Sequence, residues 1–242
     1  KHRSGAEPAQ LPALVEVAVL VTPPFVPEMI GSGTLASLDR TMLGPSHLSE
    51  SERQAITEGF GRLAAVSEGG RAAYRLAFRD GGAIGPNAFA LPDGNLILTD
   101  DLVKLADGDR EMILGVLGHE IAHVERKHSL RQIYRVAGVT AMILLIAGDV
   151  GSGLEDMLTQ GGAILALSYT RAAEAEADRR SVEIMRAAGY EPTALVRFFD
   201  RLEAVAGKSG GMSFLSSHPD TPERRDDVMR YARELEDGVP AR

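Results

Sequence analysis

The spacing of hydrophobic and polar residues divides the chain into parts with different predicted structure. Residues 1–45 are largely apolar but are interrupted by prolines and glycines. The next segment, SHLSESERQAITEGFGRLAAVSE, predicts a capped helix that begins after Ser49. From Arg71 the pattern is typical of strands: YRLAFRD predicts one strand, and NAFALPDGNLILTDDL predicts a hairpin with Pro92-Asp93-Gly94 at its turn.

From Asp100 onward the apolar residues recur at helical spacing. A Gly/Ser-rich loop, GKSGGMSFLSSHPDTPE, precedes a last helix that ends near Glu236. A small antiparallel sheet followed by many helices indicates an α+β fold, and we expect one domain over residues 46–242 after an N-terminal extension over residues 1–45. The other predicted helices cover residues 109–128, 129–148, 153–170, 171–188 and 191–207.

Two uncharged runs, Val136–Gly148 and Met157–Thr170, predict a helical hairpin that is either buried or lies on a bilayer surface. Neither run reaches the about 18 apolar residues that a spanning helix needs. The first segment, LPALVEVAVLVTPPFVPEMI, is broken by Glu16 and by prolines, and we interpret it as the trailing part of a membrane anchor. We therefore expect contact with a membrane surface or a membrane protein through residues 136–170.

Composition narrows the possible chemistry. The 242 residues are 44% hydrophobic and 25% charged, as in ordinary globular proteins. A formal net charge of -8 argues against a nucleic-acid partner, because phosphate binding needs an excess of Lys and Arg. The chain has no cysteine, so any metal ion must be held by His, Asp or Glu.

The segment LGVLGHEIAHVERKH combines histidines and glutamates with apolar neighbours. His119 and His123 are four residues apart, so on a helix both rings leave the same face, separated by about 40° of rotation. Glu120 lies beside them. The pattern H-E-x-x-H on a helix is that of zinc peptidases, in which two histidines bind the metal and the glutamate is the general base. Because burying these groups without a partner is costly, the apolar context favours a bound divalent cation.

A catalytic zinc site needs a third protein ligand, and the helix predicted in YTRAAEAEADRRSVEIM offers carboxylates. Glu174 and Asp178 share one face of that helix, whereas Glu176 points nearly the opposite way. We expect Glu174 to be the ligand and Asp178 to accept a hydrogen bond from the second N–H of a ligand histidine. His128 follows His123 by five residues on another face of a continuous helix, so we interpret it as a surface residue.

Three ordered motifs resemble one family. GHEIAHVERKH, YTRAAEAEAD and HPDTPER are similar to the zinc metalloendopeptidases of the HtpX and CAAX-prenyl-protease type, in particular to their soluble BepA-like and Oma-like branch. The resemblance extends from about Asn87 to Arg225. It implies a zincin-like fold with a small sheet ahead of the H-E-x-x-H helix. The one mild departure is Thr170, where the family more often has serine.

The resemblance implies one Zn²⁺ ion per chain, with His119, His123 and Glu174 as ligands and Glu120 as the catalytic base. It also implies that His218 and Arg224 approach the metal from the Gly/Ser-rich loop, where either could stabilise the oxyanion that forms during peptide hydrolysis. An extended substrate would pair with an edge strand that contains Asn87, Ala88, Phe89 and Ala90. The resemblance also implies protein or peptide substrates, in particular misfolded or membrane-associated proteins. We expect the protein in a cell envelope, on the periplasmic side in a bacterium.

His218 also suggests a latch. A histidine in a flexible loop could bind the zinc in place of water and keep the enzyme latent; alternatively, His218 caps or packs under the last helix. Other functions remain open: a chaperone-like or interaction module that binds zinc without catalysis, or a hairpin that docks on a membrane protein or lipid. A di-iron carboxylate protein is disfavoured, because both Glu-x-x-His sequences lie on one helix rather than on two facing helices.

Overall fold

A computed structural model describes residues 10–147, 165–205, 214–219 and 222–238 of the chain. Most of the predicted helix 153–170 and most of the Gly/Ser-rich loop lie outside these residues. The described helices are α1 (Gln10–Val21), α2 (Phe25–Thr41), α3 (Glu50–Val66), α4 (Asp100–Ala106), α5 (Arg110–Glu125), α6 (His128–Ala147), α7 (Arg171–Ala187), α8 (Ala194–Val205), α9 (Phe214–Ser217) and α10 (Pro222–Glu236). The strands are β1 (Gly44–Pro45), β2 (Arg75–Asp80), β3 (Ala88–Ala90) and β4 (Asn95–Thr99).

The four strands form one mixed sheet in the order β1-β2-β4-β3. The predicted α+β class and the β3–β4 hairpin are confirmed, with Phe89 opposite Ile97. The expectation of a wholly antiparallel sheet is wrong, because β2 and β4 run parallel, with Leu76 opposite Leu96. After β2 the chain passes to the far edge of the sheet, where it forms β3. The hairpin turn then brings the chain back, so that β4 lies between β2 and β3. Leu96, Ile97 and Leu98 are all buried there, which favours this central position for β4.

Helix α5, which carries the H-E-x-x-H motif, is the central element of the domain. Its first turn is capped by Asp109, whose side chain accepts a hydrogen bond from the backbone N–H of Met112. Every residue from Met112 to His123 is buried. Helices α3, α7 and α8 and the sheet all pack against α5. The apolar residues on every side of the motif are thus explained by a helix that is enclosed by other elements.

The N-terminal region contains two helices that the Pro- and Gly-rich sequence did not predict. Pro12 and Pro27 lie in the first turns of α1 and α2, where backbone N–H groups have no partner within the helix, so these prolines are tolerated. Helix α1 packs on α6, where Val15 and Val19 form an apolar cluster with Ile133 and other residues. Placing the domain boundary at residue 45 remains a prediction.

None of the described helices has both the length and the apolar composition to cross a bilayer alone. The segments Pro12–Val21 and Phe25–Thr41 meet the criteria of length and apolar composition only when they are taken together. The two segments are bent by 96° relative to each other.

The close packing of α5 on α8 leads to a stability prediction. A Cβ atom at Gly115 would lie 2.7 Å from the backbone nitrogen of Leu195, and backbone cannot rotate away as a side chain can. Because the two helices would have to separate, we expect Gly115→Ala to lower the free energy of unfolding by about 1–3 kcal/mol, measured by urea denaturation.

Gly118→Ala is the matched control on the same helix. Its Cβ would lie no closer than 3.7 Å to Met185 and Ser181, which is ordinary contact. Since alanine favours a helix over glycine by about 1 kcal/mol, this variant should be as stable as the wild type or more stable. Equal destabilisation by both substitutions would contradict the close-packing explanation.

Candidate metal centre

Four buried side chains from three parts of the fold converge at the middle of α5. His119 and His123 lie one helical turn apart on α5, Glu174 lies in the first turn of α7, and His218 follows α9. One ligand atom from each of the four lies within 4.8 Å of the others, and all four residues are buried. The structure therefore brings together the two histidines and the glutamate that were predicted as ligands, and it places beside them His218, which the resemblance expected to approach the metal.

The local sequence explains why Glu174 reaches this point. Thr170 caps α7, because its hydroxyl accepts a hydrogen bond from the backbone N–H of Ala173. Helix α7 begins at the next residue and packs along α5, so its first-turn carboxylate faces the two imidazoles. Asp178 is one turn further along the same face and is also buried.

The distances fit a tetrahedral metal ion. With zinc bonds of about 2.0–2.1 Å, neighbouring ligand atoms lie about 3.3 Å apart. His119 Nε2 lies 2.9 Å from His123 Nε2 and 3.5 Å from Glu174 Oε2. His218 Nδ1 lies 3.3 Å from His119 Nε2 and 3.1 Å from Glu174 Oε1. The four residues can therefore hold one divalent cation, with His218 at the fourth position.

The protonation equilibria of the cluster also suit a cation. Burial lowers the pKa of His119, but hydrogen bonds to Asp178 and Glu174 outweigh it and raise the pKa to about 9. Burial raises the pKa of Glu174, yet three neighbouring imidazoles hold it well below its ordinary value. Burial lowers the pKa of His123, and the charge of His119 lowers it further. A metal ion would therefore meet an ionised carboxylate and would displace a proton from His119.

Glu120 is wholly buried beside the cluster, and neither of its carboxylate oxygens accepts a hydrogen bond from a side chain among the described residues. Burial raises the pKa of Glu120, and the charges of His218 and His119 oppose that shift. His218 Nε2 is 3.4 Å from Glu120 Oε1. A carboxyl group with a raised pKa at a metal site is suited to accept a proton and to release it again.

Asp178 and Arg224 surround the ligands. Asp178 Oδ1 lies 2.9 Å from His119 Nδ1, the position expected for a carboxylate that orients a ligand histidine. Arg224 donates two hydrogen bonds, of 2.7 and 2.8 Å, to the two oxygens of Asp178. A third N–H group of Arg224 is 2.8 Å from Glu174 Oε2, and the guanidinium also donates to the backbone oxygen of Pro219. In this structure Arg224 therefore contacts the carboxylates that support the site.

His128 is not the surface residue that the sequence suggested. Its ring is buried, with Nδ1 2.9 Å from His123 Nδ1 and Nε2 3.2 Å from Glu176 Oε2. The error came from extending α5 through residue 128. The helix ends at Glu125, and Lys127 adopts a left-handed conformation with φ of 51°, so His128 begins α6 and turns back towards His123.

Tyr169 is a second residue whose position the sequence did not predict. Its ring stacks on His123 with centroids 4.0 Å apart and planes inclined by 20°. Its hydroxyl bonds the Ser129 hydroxyl at 2.7 Å, and its backbone N–H donates to the backbone oxygen of Ser217. No spacing rule identifies Tyr169: the sequence predicted it at the end of a helix over residues 153–170, whereas residues 167–170 form neither helix nor strand in the structure.

Comparison with known proteins indicates one family. A profile of peptidase family M48 matches residues 52–232. The mitochondrial metalloendopeptidase OMA1 of Schizosaccharomyces pombe is 30% identical over 158 residues, which are 64% of this chain and 44% of that protein. The beta-barrel assembly-enhancing protease of Yersinia pestis is 31% identical over 163 residues, which are 62% of this chain and 33% of that protein.

The metalloprotease YcaL of Escherichia coli (strain K12) is 31% identical over 142 residues, which are 57% of this chain and 55% of that protein. The chain thus spans less than half the length of the first two relatives. The matches confirm the resemblance that the three sequence motifs indicated.

Metal binding should be visible as stabilisation. A ligand that binds only the folded state at 100 times its Kd adds about 2.7 kcal/mol to the free energy of unfolding. We therefore expect Zn²⁺ to raise the Tm of chelator-treated protein by several degrees in differential scanning fluorimetry. His119→Ala should abolish this response. His47→Ala should retain it, because the side chain of His47 is 72% exposed and pairs with Asp80 rather than with the cluster. An equal rise of Tm in His119→Ala would place the metal elsewhere.

Proposed function

The chain belongs to peptidase family M48, and on that premise we propose that it is a zinc-dependent metalloendopeptidase. One Zn²⁺ per chain would be held by His119, His123 and Glu174. The observation that carries the proposal is the buried convergence of these three groups beside Glu120, whose carboxylate oxygens accept no side-chain hydrogen bond among the described residues. A structural metal site has no need of such a carboxylate, and this argues against a module that binds zinc without catalysis.

Bound zinc would lower the pKa of a water molecule towards ~7 and polarise the carbonyl group of the substrate. We propose that Glu120 accepts the proton of the attacking water at its carboxylate and then delivers it to the leaving amine. Burial favours both steps, because the raised pKa of Glu120 brings its proton affinity closer to that required at neutral pH.

Arg224 and His218 take separate roles in this proposal. Arg224 holds Asp178 and Glu174 through the contacts described above, so we assign it to positioning of the ligands rather than to direct contact with the oxyanion. His218 lies with Nδ1 at the fourth ligand position and Nε2 towards Glu120. This geometry supports the latch hypothesis, in which His218 occupies the place that a reacting water needs.

The sheet edge beside the metal centre offers a binding strand for the substrate. β3 is the edge strand of the order β1-β2-β4-β3, so an extended peptide could pair with the backbone of residues 87–90. Phe89 and Ala90 also line a cleft that reaches His218. Its other lining residues include Ile133, Leu167 and Tyr169. Because this lining is largely apolar, we propose that the enzyme binds extended protein segments with an apolar side chain at this cleft.

We further propose that the protein acts on misfolded or membrane-associated proteins at a membrane surface of the cell envelope, on the periplasmic side in a bacterium. The names of two relatives, a mitochondrial metalloendopeptidase and a beta-barrel assembly-enhancing protease, support such a setting. Exposed apolar side chains on α1, which packs on α6, and at Val136 of α6 support contact with a bilayer or a membrane protein on this face of the domain. Residues 148–164 of the expected contact segment 136–170 lie outside the described residues.

The role of Glu120 can be tested by Glu120→Gln. The amide cannot accept the proton, so we expect cleavage of casein to fall by about 10²–10⁴-fold. Zinc content, measured by atomic emission on the purified protein, should remain one per chain. Glu111→Gln, which changes a glutamate in the first turn of the same helix, is the control and should cleave casein normally. Undiminished cleavage by Glu120→Gln would remove this residue from the mechanism.

The latch hypothesis predicts that His218→Ala raises basal casein cleavage several-fold, because the imidazole would no longer fill the place beside Glu120 that a reacting water needs. Ser216→Ala changes an exposed neighbour and should leave the rate unchanged. A lower rate in His218→Ala would instead show that His218 assists the reaction.

A further inference from the structure

The two histidines of the H-E-x-x-H motif have different partners behind their metal-facing nitrogens. Both direct Nε2 towards the centre, where the two atoms are 2.9 Å apart. His119 Nδ1 meets the carboxylate of Asp178 directly, at 2.9 Å. His123 Nδ1 meets another imidazole, that of His128, also at 2.9 Å. Behind His123, the partner of the ligand ring is therefore a second imidazole, whereas behind His119 it is a carboxylate.

The direction of the hydrogen bonds between these rings follows from the metal site. A neutral imidazole that offers Nε2 to a cation carries its hydrogen on Nδ1. His123 Nδ1 is then the donor, and His128 Nδ1 must be the acceptor. A neutral His128 carries its own hydrogen on Nε2, which lies 3.2 Å from Glu176 Oε2. The contacts from His123 through His128 to Glu176 form a path of hydrogen bonds. Each nitrogen along this path carries, or lacks, a hydrogen as its neighbour requires.

The ends of the path differ in their surroundings. His123 is fully buried and His128 is 5% exposed, whereas the Glu176 side chain is 51% exposed. The other oxygen of Glu176 lies 3.1 Å from Arg126 Nε, so the carboxylate is held by a cation. The path therefore runs from the buried ligand to an anchored carboxylate at the surface.

We propose that His128 and Glu176 form a positioning relay that fixes the ring orientation and the Nδ1–H tautomer of the metal ligand His123. This inference rests on the proposed metal site, in which His123 binds through Nε2. Neither residue touches the metal or the substrate. Without the relay, a buried N–H of His123 would lose its acceptor, and the imidazole would no longer be held with its lone pair towards the cation.

The test measures the Kd for Zn²⁺ by competition with a chromophoric chelator, together with the Tm of the metal-free protein. Partners behind metal ligands typically change metal affinity by about 10–100-fold, and we expect His128→Ala to weaken zinc binding by that factor. His128→Asn keeps an acceptor oxygen near the position of Nδ1 and should recover most of the affinity, which a loss of packing alone would not explain.

Glu176→Gln addresses the outer end of the relay without disturbing the core, since this side chain is half exposed. We expect a several-fold weaker affinity for Zn²⁺. Glu68→Gln is the matched control: Glu68 also faces Arg126, with its carboxylate 3.7 Å from Nη1, and should leave the Kd unchanged.

The tautomers of His123 and His128 can also be measured in the wild type, without any substitution. In a long-range ¹H–¹⁵N spectrum of the zinc-loaded wild type, His123 should carry its hydrogen on Nδ1 and His128 on Nε2. The opposite tautomer of His128, or an unchanged Kd in folded His128→Ala, would overturn the relay alone. Failure of the wild type to bind Zn²⁺ would refute the proposed function, and the relay with it.

Discussion

The structure depends on one electrostatic constraint: a group of ionisable side chains is enclosed at the centre of an otherwise apolar domain. Glu120, Glu174 and Asp178 are all at most 2% exposed, and Arg224 is the guanidinium that contacts two of them. Three carboxylates and one guanidinium leave an excess of two negative charges when all are ionised. A divalent cation between the imidazoles would bring that sum to zero, and the cost of enclosing the charges falls accordingly.

The fold meets this constraint by surrounding α5 with packed elements. Gly115 allows the backbone of α8 to approach on one side, while α7 lies along another and carries Glu174 and Asp178 on one face. Because both carboxylates belong to a single helix, the packing of α7 on α5 fixes the ligand and the partner of His119 together. A shift of α7 along α5 would misplace both, so the metal centre and the helix packing must form as one unit.

The sequence predicted those parts of the site that depend on position within a helix. His119 and His123, and likewise Glu174 and Asp178, are four residues apart, and helical geometry alone places each pair on one face. Helical spacing could not predict those parts of the structure that depend on where the chain turns back. The position of β4 between β2 and β3 requires knowledge of long-range pairing. His128 was misplaced because the left-handed conformation of Lys127, which breaks the helix, leaves no trace in the hydrophobic pattern.

If His218 acts as the proposed latch, its contacts would couple that latch to the proposed substrate site. The imidazole stacks on Phe214 with centroids 4.1 Å apart, and its position is tied to α9, whose Ser217 accepts a hydrogen bond from Tyr169. Tyr169 in turn stacks on His123 and lines the cleft next to β3. A side chain entering that cleft would therefore press on the residue that joins α9 to the metal centre. Displacement of α9 would withdraw His218 from both the fourth ligand position and Glu120, so that one movement would admit water and release the base at the same time.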